Sequence, residues 1–185
     1  LQTLTFYNAI ANNGEMVKPR FIEKIESFGQ SPDQTFGKIV LNPSICSKST
    51  VDKVKKMMFN VVDKKWGTAH KIKDKKFSIA GKTGTCQVDY TKDETQYVAS
   101  FVGYFPADAP KYSCIVVIHR PNKALGYYGA DVAAPVFKEI ALKIFFWDDL
   151  DEHAERGKSI VQEAVAVKLQ QDTHAIGSET VDQST

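Results

Sequence analysis

The chain has 185 residues, of which 43% are apolar and 25% are charged, a balance typical of a globular domain with a buried core. Its apolar runs are far shorter than a membrane span. Three cysteines and four histidines are scattered without the spacing of a zinc site or a disulfide framework, so we expect no metal and no cofactor.

The net charge of +2 divides unevenly along the chain. Residues 1–147 contain 21 Lys and Arg against 13 Asp and Glu, whereas residues 148–185 contain 3 against 9. The positive part could serve nucleic acid, anionic lipid or an acidic small substrate. Few aromatic residues interleave with its lysine cluster over 64–76, which favours a solvated loop and argues against nucleic acid.

The first part of the chain predicts a helix followed by extended segments. Apolar residues recur at helical spacing over 1–13, and Asn12-Asn13-Gly14 is a typical helix stop. Apolar and charged residues alternate over 18–27, which predicts a strand near a sheet edge. Residues 38–43 predict a short extended piece.

The clearest helical pattern covers residues 50–64. Ser49 is the predicted N-cap, with Asp52 three residues later as its capping-box partner. The predicted buried stripe consists of Val51, Val54, Met58 and Val61, with Val62 beside it.

Three strands and a last helix are predicted next. The strands cover 77–88, 96–105 and 112–119, and the second is apolar on both faces, as in a central strand. Short connections favour antiparallel neighbours. The helix is predicted over about 130–147, and an acidic tail follows over 148–185 that we interpret as partly disordered or a linker.

The first of these strands contains an unusual motif, "AGKTGTCQ" at 80–87, since glycine is disfavoured in strand interiors. A phosphate loop is excluded because position 76 is Lys76 instead of the required glycine, and a strand follows instead of a helix. Two uses remain: an edge strand with a bulge, or a wall that binds a carboxylate and pairs with an extended ligand.

The tripeptide K-T-G is also the third motif of penicillin-binding proteins and class A β-lactamases. Its partner motifs are S-x-x-K, which holds the nucleophile, and an S-x-N element. This chain contains neither, because no serine is followed by lysine at the third position or by asparagine at the second.

Several longer stretches nevertheless resemble one family in the right order. They are "LQTLTFYNAIANNG", "FNVVDKKWGTAHK", "IAGKTGTCQ", "YVASFVGYFPADAPKYSCIVVIHRP" and "YYGADVAAPVFKEI". From Leu1 to about Phe146 the chain resembles the C-terminal half of the transpeptidase domain of class B penicillin-binding proteins, the septal or elongation D,D-transpeptidases. Both missing motifs lie upstream of this half in the family.

The resemblance implies an α+β fold in which an antiparallel sheet is flanked by helices. Residues 1–147 would form the C-terminal half of the transpeptidase domain, and residues 148–185 the acidic tail. Because part of the sheet would be missing, we expect exposed apolar surface and self-association.

The resemblance also assigns roles around the K-T-G-T strand. Lys82 would attract the substrate carboxylate, and the hydroxyls of Thr83 and Thr85 would donate hydrogen bonds to it. The backbone N–H of Thr85 would be one of two oxyanion-hole donors. Gly84 would let the substrate lie antiparallel to the strand. Cys86 stands where the family has a small residue, and we interpret it as a spectator or an oxidisable thiol.

Flanking segments would support this strand. Gly67, Thr68 and Ala69 are interpreted as structural support, and Tyr127, Tyr128 and Gly129 as packing residues.

The implied partners are D-Ala-D-Ala stem peptides, β-lactams and, in the parent protein, cell-wall synthesis or divisome proteins. The domain would be extracytoplasmic, in the periplasm, on a membrane-anchored protein whose anchor lies outside this chain. The isolated chain should be inactive because it lacks the nucleophile. Two alternatives remain: a D,D-carboxypeptidase or penicillin sensor of the same fold, and a non-catalytic interaction module.

Overall fold

The computed structural model describes residues 1–27, 34–88 and 95–147. The chain forms two compact units, Leu1–Ile140 and Ala141–Thr185. Residues 141–147, the described part of the second unit, are helical, and Phe145 and Phe146 meet edge to face. The acidic tail predicted over 148–185 lies outside the described residues.

In the first unit, four short strands lie between the first two helices and three long strands precede the last helix. Its described elements are α1 (Gln2–Ala11), β1 (Met16–Val17), β2 (Lys24–Ile25), β3 (Gln34–Thr35), β4 (Val40–Asn42), α2 (Lys48–Asp63), a 3-10 turn (His70–Ile72), β5 (Ala80–Val88), β6 (Gln96–Phe105), β7 (Tyr112–His119) and α3, which begins at residue 129 and continues to the end of the unit at 140.

The three long strands form one antiparallel sheet in the order β5-β6-β7, as the sequence predicted. In its register Lys82 pairs with Val102 and Gly84 pairs with Ser100. β6 is the central strand, and its second half is buried because both faces are covered. β5 therefore lies at one edge of this sheet within the described residues.

Helices cover the two faces of the sheet. On one face Ala80 and Tyr104 join a core with Ile10 and Ala11 of α1 and Met58 of α2. On the other face, Phe101 and Phe105 contact the ring of Phe137 of α3, with centroids 4.8 and 5.7 Å apart. Because side chains alternate along a strand, even-numbered β5 residues face α1 and α2, and odd-numbered ones face α3.

The prediction of one strand over 18–27 is wrong, because the observed strand is much shorter. Only Lys24–Ile25 pairs there, with Gln34–Thr35, while Met16–Val17 pairs with Val40–Asn42. Pro19 lies between these two short pairs, and proline has no N–H to donate to a ladder. The alternating pattern therefore marks an exposed segment instead of one continuous strand.

The predicted start of α2 is also wrong. Ser47 is the N-cap, and its hydroxyl accepts a hydrogen bond from the backbone N–H of Thr50 at 3.3 Å. Ser49 lies inside the first turn, and Asp52 pairs with Lys48 at 3.0 Å instead of completing a capping box.

The stripe predicted for α2 is partly confirmed. Val51 and Met58 are buried as predicted. Val62, which was expected beside the stripe, is buried, whereas Val61, which was expected within it, is not. Val54 and Val61 are half-buried at the edges of the stripe.

Candidate functional site

Lys82 lies on the edge strand β5 with an exposed side chain. Its ammonium donates a hydrogen bond to the carbonyl oxygen of Thr83 at 2.7 Å. Within the described ranges of the chain, no ion pair involves Lys82, so its charge is available to an anion that approaches the sheet edge.

The hydroxyls of Thr83 and Thr85 are each engaged on the α3 side of the sheet. Oγ1 of Thr83 lies 3.1 Å from Oγ1 of Thr68. Oγ1 of Thr85 accepts a hydrogen bond from the backbone N–H of Gly129 at 3.1 Å. Strand alternation places the ammonium-bearing side chain of Lys82 on the opposite face.

Gly84 lies close to a side chain of the neighbouring strand. A Cβ at this position would lie 2.5 Å from Oγ of Ser100, its partner on β6. Gly129 has a stricter constraint, because its Cβ would lie 2.2 Å from the carbonyl oxygen of Ser100 and 2.6 Å from that of Gly84. The start of α3 therefore rests directly on the β5 and β6 backbones.

The segment after α2 approaches β5 through a tight turn. A Cβ on Gly67 would lie 2.3 Å from the carbonyl oxygen of Val61, and Ala69 donates its N–H to that same oxygen at 3.0 Å. The ammonium of Lys71 pairs with Asp131 in the first turn of α3 at 2.9 Å. These contacts hold residues 67–69 against α2 and α3, as the predicted supporting role requires.

Cys86 is exposed on β5, two positions beyond Gly84 on the same face. Its thiol donates to the carbonyl oxygen of Gln87 at 3.3 Å. The other two cysteines are half-buried, and burial raises the pKa of the Cys114 thiol.

Sequence reasoning missed a tyrosine stack beside this strand. The ring of Tyr97 stacks on that of Tyr127 at 4.4 Å, and Tyr127 donates its hydroxyl to that of Tyr128 at 3.0 Å. This hydrogen bond raises the pKa of Tyr127. Strand alternation in the sequence could have indicated part of this contact, because it places Tyr97 on the same face of β6 as Phe101, the face that α3 covers.

The β5 edge, which we define as residues 82–85 on the outer side of the strand, has two exposed residues, Lys82 and Thr85, and two half-buried ones, Thr83 and Gly84. A groove of about 500 Å³ lies elsewhere, between α1 and the segment around Pro19, and no β5 residue lines it. An edge strand presents alternate N–H and C=O groups that an extended peptide can pair with. The arrangement can thus offer backbone pairing, an ammonium group and hydroxyls to an extended ligand with a carboxylate.

The described residues contain no cluster of His, Cys, Asp or Glu that could hold a metal ion. Nor does any helix among them have the length and apolar character needed to cross a membrane.

Comparison with solved structures identifies the class of fold. Residues of this chain superpose on penicillin-binding protein 2B from Streptococcus pneumoniae with a TM-score of 0.63 at 23% identity, covering 76% of this chain and 23% of that one. The transpeptidase domain of the FtsI4 D,D-transpeptidase from Legionella pneumophila gives 0.55 at 29% identity, covering 77% and 44%. The predicted α+β fold, an antiparallel sheet flanked by helices, is confirmed.

Comparison of sequences identifies the family. A model of the penicillin-binding protein transpeptidase domain matches residues 1–142. The probable peptidoglycan D,D-transpeptidase PenA of Neisseria flavescens is 32% identical over 142 residues, 76% of this chain, and the peptidoglycan D,D-transpeptidase FtsI of Buchnera aphidicola is 34% identical over 107 residues, 57% of this chain. The chain belongs to the penicillin-binding-protein transpeptidase family, and its resemblance to class B members is confirmed.

The chain spans only part of these relatives. It covers 32% of the Neisseria flavescens protein and 18% of the Buchnera protein.

Proposed function

We propose that this chain is the C-terminal half of the transpeptidase domain, residues 1–147, of a longer peptidoglycan D,D-transpeptidase, followed by an acidic tail over 148–185. The family match over residues 1–142 and the relatives named D,D-transpeptidases support this proposal. The single observation that carries it is the K-T-G-T sequence on the open β5 edge, with Lys82 exposed there.

The proposed ligand is the D-Ala-D-Ala end of a cell-wall stem peptide, which lies antiparallel to β5 beside Gly84. Because β5 has no outer strand neighbour among the described residues, a carboxylate can approach its edge. Lys82 attracts that carboxylate from one face, and the hydroxyls of Thr83 and Thr85 donate to it from the other. A β-lactam occupies the same position.

The proposed reaction is acyl transfer through a serine that lies outside this chain. Its hydroxyl oxygen attacks the carbonyl carbon of the penultimate D-alanine, the C–N bond breaks, and the terminal D-alanine leaves as the amine that takes up the proton. An amine of a second stem peptide then attacks the acyl-enzyme, forms the cross-link and restores the serine.

Thr85 would stabilise the oxyanion of both steps through its backbone N–H. Every second residue of an edge strand directs its N–H away from the sheet, and we propose that Thr85 is one of them. Removing one oxyanion donor typically reduces the rate by about 10²–10³-fold. The second donor would come from the part of the enzyme that holds the serine.

We further propose that the domain is extracytoplasmic, on a protein anchored in the membrane outside this chain. Its partners would be peptidoglycan stem peptides, β-lactams and other cell-wall synthesis proteins. This proposal rests on the chemistry of the substrate, since peptidoglycan lies outside the cytoplasmic membrane.

Labelling with a fluorescent penicillin tests the proposed function. The full-length parent protein should form a covalent band, and Lys82→Ala should reduce its labelling rate by about 10²-fold, as expected for the loss of a charged group in the site. Lys53→Ala, at an exposed position of α2, is the matched control and should label like wild type. The isolated 185-residue chain should stay unlabelled. An unlabelled parent protein would favour a non-catalytic interaction module.

A further inference from the structure

Thr68 approaches the proposed site from outside the K-T-G-T strand. Its Oγ1 lies 3.1 Å from Oγ1 of Thr83, although the two residues are 15 positions apart. At this distance one hydroxyl donates and the other accepts. We propose that Thr68 is a positioning residue that donates to Thr83, so that the proton of Thr83 is directed to the substrate carboxylate at the β5 edge. This inference rests on the proposed function.

The direction of this hydrogen bond follows from what a carboxylate requires. An ionised carboxylate only accepts, so Thr83 must donate its single proton to it. The oxygen of Thr83 can then accept from Thr68. Hydrogen bonds in such a chain polarise one another, and the fixed partner reduces the rotamer freedom that Thr83 would lose on binding.

The backbone around Thr68 is well suited to this task. Its neighbours Ala69 and Ile72 are 0% and 2% exposed, which anchors the turn in the core. The N–H of His70 donates to the carbonyl oxygen of Gly67 at 3.1 Å and closes the turn around Thr68. The ion pair between Lys71 and Asp131 ties the same segment to α3. A side chain used for positioning needs such support from its surroundings.

The hydroxyl of Thr85 is held in the same way as that of Thr83. Both hydroxyls of the K-T-G-T strand are held from the α3 side, Thr83 by Thr68 and Thr85 by the N–H of Gly129. In each contact the threonine oxygen is free to accept, which leaves its proton for a ligand.

The test uses acylation of the full-length parent protein by benzylpenicillin, followed by stopped flow. This separates the dissociation constant of the initial complex from the rate of acylation within it. Thr68→Val keeps the shape of the side chain but removes the hydroxyl. We expect the dissociation constant to rise about 3- to 10-fold, the effect of one hydrogen bond, with the acylation rate unchanged. Thr68→Ser should restore the wild-type value, and Thr35→Val, at an exposed position of β3, is the control.

A double-mutant cycle tests whether Thr68 acts through Thr83. In a Thr83→Val background, adding Thr68→Val should change the dissociation constant no further. A full additional effect in that background, or a Thr68→Val variant that binds like wild type, would overturn the inference. Melting temperatures of all variants show whether a loss of binding comes from unfolding. If Thr68→Val is destabilised, Thr68→Ser decides the question, because it keeps the hydroxyl and must still bind like wild type.

The same experiment distinguishes a failure of the proposed function from a failure of the role assigned to Thr68. If wild-type parent protein is not acylated, the proposed function itself is wrong. If wild type is acylated and Thr68→Val is acylated with the same constants, only the role of Thr68 is wrong.

Discussion

Gly84 illustrates how a residue can be constrained by its own fold where its sequence motif suggests a ligand. The sequence predicted that a ligand backbone requires glycine here. The structure adds a weaker internal constraint, because a Cβ would lie 2.5 Å from Oγ of Ser100, a side-chain atom that can rotate away. The two explanations are compatible, but they make different predictions for substitution.

Replacing Gly84 with alanine should destabilise the protein through this contact. Because Oγ of Ser100 can turn to another rotamer, we expect a loss of only about 0.5–1 kcal/mol in the free energy of unfolding. Ser100→Ala removes the conflicting hydroxyl and should restore most of that loss in the double variant, measured by urea denaturation. If penicillin acylation of the full-length parent protein with both substitutions is like that of wild type, the ligand does not need glycine at position 84.

Asp108 provides a pH-dependent contribution to stability at a single residue. Its carboxylate accepts a hydrogen bond from the hydroxyl of Ser78, and this bond lowers the pKa of Asp108. A carboxyl group whose pKa is lower in the folded state stabilises that state above its ordinary pKa of about 4, and the contribution is lost as pH falls through the lowered value.

Asp108→Asn should therefore be less stable than wild type at pH 7, and the difference in free energy of unfolding should shrink as the pH is lowered below about 4. Urea denaturation at a series of pH values measures this difference. Ser78→Ala removes the largest cause of the pKa shift and should weaken the same pH dependence, while the backbone N–H groups of Asp108 and Ala109 still lower the pKa. A difference that stays constant with pH would contradict the assignment.

Lys82, Thr83 and Thr85 could be selected from the sequence because a short motif contains all three. The contact between Thr68 and Thr83 could not, since it depends on how the turn after α2, at residues 67–69, approaches β5. The stacking of Tyr97 on Tyr127 has the same origin, because it joins β6 to the residues just before α3. Pairs from separate elements need the tertiary structure.

At the scale of elements, long apolar patterns were reliable guides and short ones were not. β5, β6 and β7 are each eight or more residues long, and their order and antiparallel pairing followed from composition and short connections. β1 to β4 have two or three residues each, so their pairing is determined by neighbours instead of by their own pattern.

The start of α2 gives a matched test of capping. Ser47 caps the helix and Ser49 does not, although only two positions separate them. Ser47→Ala should lower the free energy of unfolding by about 1 kcal/mol, because the N–H of Thr50 loses its acceptor. Ser49→Ala should change it by only a few tenths, since alanine is a better helix former than serine. Thermal denaturation followed by circular dichroism measures both, and equal losses would place the cap elsewhere.

At the scale of the whole molecule, the first unit carries unusually exposed apolar side chains. Phe21 is 86% exposed, and Ile22, Ile39 and Leu41 are each more than half exposed. They lie near the short strand pairs β1–β4 and β2–β3. Together with the open β5 edge, they are the features that promote association in a protein without a covering partner.

We expect the 185-residue chain to self-associate with increasing concentration, as static light scattering would detect. The double variant Phe21→Ser and Leu41→Ser should shift association to higher concentration. Leu125→Ser is the control, because Leu125 is 83% exposed but lies in the turn before α3. A chain that remains monomeric at high concentration would show that these side chains do not drive association.

The position of Cys86 gives the protein a built-in attachment point for a reporter group. It is the exposed cysteine of three, whereas Cys46 and Cys114 are half-buried, so a thiol-reactive dye at limiting concentration should modify it first. The dye would then sit two positions from Gly84, where a ligand bound at the proposed site would alter its emission. Ligand encounter could thus be followed optically in real time without introducing any new side chain.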